Sequence, residues 1–218
     1  MFLRSLLVIA LPLVLVLINA GILMSNLFLQ WEYNRPGFPA DPFGFTTQDR
    51  LHYAPLAMAY LFNSEGIEFL SKQTFPDGSP LYSEQALSHM SDVKGVTRNL
   101  SLFGYVLIAG VLVSIFLLAR QPDLRPALLK TLRLGGIVTI ALILVGLLIT
   151  AVSFRELFTA FHRLFFQGDS WLFPYSDTLI RLFPIEFWTD AFALMFGGAL
   201  IGGGLIAGIS TWLLRRKP

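Results

Sequence analysis

His89 and His162 are two of only three histidines in the chain. Each stands a few residues from a long apolar run, in Ser88-His89-Met90-Ser91-Asp92-Val93-Lys94 and Phe161-His162-Arg163-Leu164-Phe165-Phe166. Imidazole is the side chain whose ordinary pKa, about 6.5, lets it give and take protons near neutral pH. Two imidazoles beside one membrane face point to acid/base chemistry at a lipid surface. On a helix, His89 and Asp92 are three residues apart and share a face, so a carboxylate there can accept the imidazole N–H and fix its tautomer. A solvated histidine paired with an acid satisfies the same spacing. Around His162, Phe154, Phe158, Phe161, Phe165 and Phe166 recur at helical intervals. Such a stripe reads as an amphipathic interfacial helix, and equally as an apolar wall for an acyl chain beside a proton-transfer group.

Other chemistries lack their residues. The third histidine, His52, falls in a separate helix, and no His-x-x-x-His spacing exists, so no metal site and no cofactor is expected. There is no Gly-x-x-x-x-Gly-Lys phosphate cradle and no Gly-x-Ser-x-Gly elbow. Cysteine is absent, which removes disulfides, thiolate nucleophiles and cysteine metal sites, and means the chain is not itself a lipoprotein. Basic and acidic residues nearly balance, and no basic arm points to nucleic acid.

The elements that must position the histidines are membrane spans. Hydrophobic residues make up 55% of the chain and charged ones 14%, a balance rare in soluble domains. Crossing the hydrocarbon takes roughly 20 apolar residues, and four runs approach or reach that length: Ser5 to Leu29, Ser101 to Leu118, Leu134 to Val152 and Phe187 to Leu214. The first run exceeds the h-region of a cleaved signal peptide and reads as a true span. Arg120, Arg125, Lys130 and Arg133 between spans two and three, Arg215-Arg216-Lys217 at the end, and Arg4 near the start place both termini inside. Residues 30–100 and 153–186, with both His89 and His162, then lie outside the cytoplasm, and residues 119–133 and 215–218 lie within it. Trp31, Tyr33, Tyr105, Trp171 and Trp188 fall near outer span ends, as interfacial anchors do.

Residues 30–100 are too long for a bare connection. Gly37 to Phe45 reads as loop. Thr46-Thr47-Gln48-Asp49 offers a capping box into a helix running to about Phe62, which Pro55 should kink or interrupt. Ile67 to Gln73 has strand character, with Pro76-Asp77-Gly78 as the turn after it. A new helix starts near Ser83. In the second outer segment Gly168-Asp169-Ser170 ends a helix, Pro174 to Asp177 turns the chain, and Pro184 opens span four, where Glu186 and Asp190 suit the helix dipole. Gly198, Gly202, Gly204 and Gly208 give two Gly-x-x-x-Gly spacings for close packing within the bundle. The expected fold is an all-α polytopic membrane protein of four transmembrane helices, both termini inside, with a small extracytoplasmic cap of a helix plus, if residues 67–73 pair, a β-hairpin.

The segments from Ser83 to Lys94, Phe161 to Phe166, Asp169-Ser170-Trp171-Leu172-Phe173-Pro174 and Asp177 to Pro184 resemble the bacterial family of integral-membrane lipoprotein intramolecular transacylases. The resemblance extends over nearly the whole chain in span count and order, and its His-Met-x-Asp-Val-Lys and Phe-His-x-x-Phe-Phe elements are fairly specific. It implies transfer of an acyl chain within one lipoprotein, from the sn-2 position of the diacylglyceryl-modified N-terminal cysteine to that cysteine's α-amino group, leaving a lyso-form lipoprotein. It implies that His89 and His162 are the catalytic pair; Asp92, Lys94, Arg163 and Asp169 are expected to support or orient them, and Phe158, Phe161, Phe165, Phe166 and Trp171 to form the acyl environment. The expected setting is the bacterial cytoplasmic membrane, with the site on its extracytoplasmic face, a monomeric enzyme, and lipoprotein substrate and membrane lipid as partners. No covalent enzyme intermediate is needed, because the amine itself attacks the ester. Acyl transfer or hydrolysis on phospholipids, and a non-catalytic membrane protein whose cap binds a partner, are the alternatives.

Overall fold

A computed structural model describes residues 2–216; Lys217, expected in the basic C-terminal tail, lies outside the described residues. Among the described residues there are eight α-helices: α1 Phe2–Leu23, α2 Asn26–Asn34, α3 Thr47–Phe62, α4 Glu68–Ser71, α5 Glu84–Ala119, α6 Arg125–Phe165, α7 Thr178–Leu182 and α8 Ile185–Arg215, with a 3₁₀ turn at Pro122–Leu124. Four stretches are long and apolar enough to cross a membrane: α1, α5, α8 and the run Pro122–Phe165 that contains α6. There is no strand among the described residues, so the chain is an all-α, multi-pass membrane protein.

Two compact units divide the chain. One comprises residues up to Gly21, Ser101–Ser153 and from Phe192 on; the other comprises Ile22–Leu100 and Phe154–Ala191. In the first, Leu7, Ala10, Val14, Val111, Leu118 and Leu128 form a buried cluster. Helices approach closely where side chains are smallest. A Cβ on Gly136 would lie 2.6 Å from the Gly203 carbonyl oxygen, and one on Gly202 would lie 2.9 Å from Leu15, whereas Gly204 and Gly208 face open space. The expected close packing is therefore carried by one end of the glycine run and by Gly136 opposite it.

The second unit has its own core, built on Leu29, Tyr33, Ala54, Ala57, Leu70, Leu81, Ala86, Leu182 and Phe187. The first apolar run does not continue as one helix: α1 stops at Leu23, and Ser25 caps a new helix, its side chain accepting from Phe28 N–H. The Thr46–Asp49 capping box is formed in both directions, and α3 runs on through Pro55 without interruption. Tyr53, Ala54 and Ala57 on either side of that proline are buried, so packing holds the turn from which the proline ring removes a donor.

The expectation of a strand fails as well. Residues Glu68–Ser71 are a helical turn rather than strand, because Leu70 is driven wholly inside while Glu68 and Ser71 stay at the surface, a period closer to helix than to alternation. The turn after it is real. Phe75 N–H donates to Ser79 O at 2.9 Å, Gly78 takes φ +83°, and the Asp77 carboxylate accepts from Ser79, but only an isolated bridge between Thr74 and Pro80 accompanies it.

Candidate active site

The start of α5, the end of α6 and the loop that follows it build the histidine site, all within the second unit. From Arg98 to Arg120 α5 carries no charged residue, and α6 carries none from Arg133 to Arg155. These are the stretches suited to hydrocarbon. His89 precedes the first and His162 follows the second, so both rings lie beyond the apolar stretches. α6 departs from helical geometry at Ser153 (φ −142°, ψ 46°), between the uncharged stretch and the turns that carry His162.

The loop after α6 is tied to the start of α5 by side chains. Ser83 Oγ accepts from Ala86 N–H and donates to the Asp177 carboxylate at 2.9 Å. Thr178 Oγ1 donates to Leu81 O at 2.5 Å. Gln85, one turn before His89, donates to Leu172 O at 2.9 Å. Gly168 turns the chain at φ +59°, and its carbonyl accepts from the Trp171 indole N–H at 3.1 Å. Trp171 and Phe173 are thereby held against the histidines.

His89 and His162 come together, their ring centroids 6.3 Å apart and their planes within 20° of parallel. That separation is too long for a ring-to-ring hydrogen bond, and short enough for one reacting group to meet both. Both residues are buried. Phe166 touches both rings, at 4.8 Å from His89 and 5.6 Å from His162. Phe173 stands edge-on to His89 at 5.4 Å, Phe158 lies 4.0 Å from His162, and Trp171 lies 4.8 Å from it. Phe161 meets His162 edge-on at 5.6 Å and packs on Phe165.

Desolvation in this wall disfavours the charged imidazole. Burial first, then the neighbouring His162, pushes His89 down to about 4, with Asp92 acting weakly the other way. Burial also lowers His162, opposed by its hydrogen bond to the Phe158 carbonyl. At neutral pH both rings are uncharged. His162 Nδ1 lies 2.8 Å from Phe158 O; a carbonyl only accepts, so Nδ1 carries the proton and Nε2 the free lone pair. His89 Nδ1 is buried without a partner.

The other expected site residues stand elsewhere. Asp92 is exposed on α5, with no hydrogen bond to His89 Nδ1. Lys94 donates to Asn63 Oδ1 at 2.9 Å and Glu65 O at 2.7 Å and lies over the Tyr60 ring, securing the end of α3. Arg163 is exposed, and Asp169 is exposed in the turn after α6, where its carbonyl accepts from Leu172 N–H. His52 is exposed against Tyr53. A cleft lined by Tyr82, Ser83, Glu84, Asp177 and Arg181 has neither histidine in its wall.

Two groups escaped the reading of the sequence. The Phe158 carbonyl has no residue-type signal at all, and only helical i, i+4 spacing to His162 points to it. The other is a buried charge cluster. Glu32 is completely inaccessible, its Oε1 3.2 Å from Arg35 Nε and its Oε2 without a partner; the same guanidinium bonds Asp190. Burial, partly offset by Arg35, pushes the Glu32 carboxyl up to about 7. Asp190 thus does more than complement the α8 dipole. A second pair, Arg181 with Asp41 at 2.9 Å, together with Arg50 donating to Arg181 O and Pro39 O, fastens the glycine- and proline-rich loop to α7. Among the described residues no group of three or more His, Cys, Asp or Glu side chains is placed to hold a metal.

Fold and site together define a multi-pass helical membrane protein with two uncharged imidazoles facing each other in an aromatic wall. The family described as lipoprotein intramolecular transacylase Lit matches residues 5–188. The chain belongs to that family, and is an acyltransferase of lipoprotein processing. A relative from Aquifex aeolicus (strain VF5), described only as an uncharacterized protein, is 35% identical over 187 residues, 84% of this chain and 82% of its own length. A solved structure of the membrane integral lipoprotein intramolecular transacylase from Bacillus cereus shares the fold at TM-score 0.81 and 20% identity, covering 98% of this chain and 95% of that one. The same Bacillus cereus protein with one histidine changed to arginine matches at TM-score 0.74, again at 20% identity, over 98% of this chain and 91% of that one.

Proposed function

We propose that the chain moves the sn-2 acyl chain of a lipoprotein's diacylglyceryl-cysteine onto the cysteine α-amino group, with His162 as base and His89 as the partner of the oxyanion. The observation that carries this is the meeting of the two neutral imidazoles in a wall of phenylalanine and tryptophan, in a member of this family. The α-amine has an ordinary pKa near 8, so its loss of a proton needs only a modest base. His162 Nε2 has the lone pair, and the Phe158 carbonyl on Nδ1–H stabilises the imidazolium that forms.

The amine nitrogen attacks the sn-2 ester carbon and its proton passes to His162 Nε2. A neutral His89 donates an N–H to the tetrahedral oxyanion, as an uncharged imidazole can. The carbon–oxygen bond to glycerol then breaks, the carbonyl re-forms as an amide, and His162 returns the proton to the departing alkoxide. One N–C bond replaces one O–C bond, and no water is consumed. Phe158, Phe161, Phe165, Phe166 and Trp171 supply the apolar surroundings for the acyl chain. The reaction takes place on the extracytoplasmic side of the bacterial cytoplasmic membrane with both termini inside, as the Arg and Lys placement argues. A single chain carries both histidines, so a monomer suffices.

The test is fragmentation mass spectrometry of the N-terminal peptide of a reporter lipoprotein made with and without this protein. The expected result is one acyl chain relocated from glycerol to nitrogen at unchanged total mass. A gain of one acyl mass would indicate transfer from a phospholipid instead, and an unchanged diacylglyceryl peptide in both samples would remove the proposal.

A further inference from the structure

Beyond the histidine site, α6 presents a face whose charges have no protein partner. Arg155 and Arg163 are exposed, Thr159 between them is half-buried, and the three stand at i, i+4 and i+8, one helix face. Every ion pair found among the described residues goes to Arg35 or Arg181, and neither Arg155 nor Arg163 has a hydrogen bond or ring partner there. These two arginines, Thr159, Glu156 and Ala160 line an open recess of about 370 Å³.

Its position along the helix argues for its occupant. Arg155 is the first charged residue after the uncharged run of α6 that begins at Leu134, a run roughly as long as hydrocarbon is thick. The recess therefore begins at headgroup depth. Arg155 and Arg163 are about 12 Å apart along the axis, and both long stems can bring their guanidinium groups toward Thr159 between them. Guanidinium forks match phosphate oxygens in pairs, and the Thr159 hydroxyl can donate to a third. Glu156 adds a carboxylate, which accepts from a neighbouring donor and leaves the recess with one net positive charge. That balance fits a headgroup with one phosphate charge and neutral hydroxyls.

We infer that the Arg155–Thr159–Arg163 face is a binding site for phosphatidylglycerol, the phosphate held by the two arginines and a headgroup hydroxyl by Glu156. The site is distinct from the reacting centre, since a diacylglyceryl-cysteine has no phosphate. It lies immediately beside His162 in sequence, so a bound headgroup holds the depth of that turn.

The experiment measures lipid affinity by native mass spectrometry of the full-length purified protein, with phosphatidylglycerol, phosphatidylcholine and water-soluble glycerol phosphate as probes. Phosphatidylglycerol should bind tightest, and R155Q/R163Q should weaken it about tenfold, as loss of charge-assisted bonds requires, leaving phosphatidylcholine binding unchanged. R155K/R163K, which keeps the charge and loses the forks, should fall between and serves if the double glutamine variant does not fold. Equal binding of both lipids, an undiminished affinity in the variants, or glycerol phosphate competing at its own phosphate concentration as well as the lipid does, would each overturn the inference.

Discussion

The second unit buries two ionisable clusters, and burial drives both toward neutrality from opposite sides. Around His89 and His162 the wall is aromatic, no carboxylate bonds either ring, and both bases are pushed down. Around Glu32 an acid is buried instead and pushed up to about 7, with Arg35 shared between it and Asp190. The same physical cause leaves an uncharged base in one place and a proton-retaining acid in the other. They differ in what the cluster can do next. Glu32 is closed off by its bond to Arg35, whereas His162 has one nitrogen fixed by a carbonyl and the other free, in apolar surroundings. Strongly shifted acidity by itself does not distinguish the two clusters; a free lone pair facing a second group does, and it is the ground on which the histidine pair is proposed as the reacting centre.

The largest expected effect separates the clusters directly. H89A and H162A should each lower the rate of acyl relocation by roughly 10²–10⁴, the range for loss of a positioned acid or base, while Glu32→Gln stays within a few fold. Product analysis of purified variants with wild-type melting behaviour measures both. A Glu32→Gln loss as large as either histidine's would dissolve the distinction.

Next in size is the pH dependence of activity. Both imidazoles are lowered from 6.5, so kcat/KM should keep its base-dependent activity below pH 6.5 and rise toward the pKa of the substrate amine near 8. A second ascending limb at or above 6.5, belonging to the enzyme and separate from that of the amine, would mean that the rings are solvated in the working enzyme.

Stability gives a smaller signal with opposite signs. Glu32, raised from 4.5 to about 7, contributes stability that is present below its unfolded value and is lost as pH rises through 7. His89, lowered from 6.5 to about 4, contributes stability that is present above 6.5 and is lost as pH falls through 4. The two slopes oppose each other between about pH 4.5 and 6.5. In that window Glu32→Gln should steepen the climb of the melting temperature with rising pH, and His89→Ala should flatten it, with the lowered His162 adding its own rise in every variant. Parallel curves for wild type and both variants would show that neither cluster is linked to folding through its protons.

Much of this arrangement was legible in the residues, and the limits are physical. Long uncharged runs marked the spans because hydrocarbon length is fixed, and Thr46 with Asp49 marked the start of α3 because both halves of a capping box are side chains. The two histidines stood out by rarity and context. Residues 67–73 misled because β-branched and aromatic composition overlaps with a short buried helical turn, where Leu70 alone decides the outcome. Phe173 sits in a segment that was noticed, yet its contact with His89 depends on a loop held by Gln85 and Ser83 across nearly a hundred positions. Glu32, Arg35 and Asp190 read locally as a helix end and a helix start, since nothing in sequence brings position 35 to position 190.

The finest distinction concerns Asp92, which lies three residues from His89 but is exposed and offers Nδ1 no hydrogen bond. Its charge reaches the imidazole only through partly solvated space, where such interactions are weak. Asp92→Asn should therefore lower kcat/KM by no more than about threefold, and should leave the acid limb set by His162 in place, because Asp92 acts on His89 and not on the base. An orienting carboxylate behaves differently: its loss releases the tautomer and costs orders of magnitude. A hundredfold drop for Asp92→Asn, restored by Asp92→Glu, would mean that substrate closes the gap to Nδ1 and that the histidine pair works with a carboxylate after all. A small drop leaves the Phe158 carbonyl as the group that orients the reacting base.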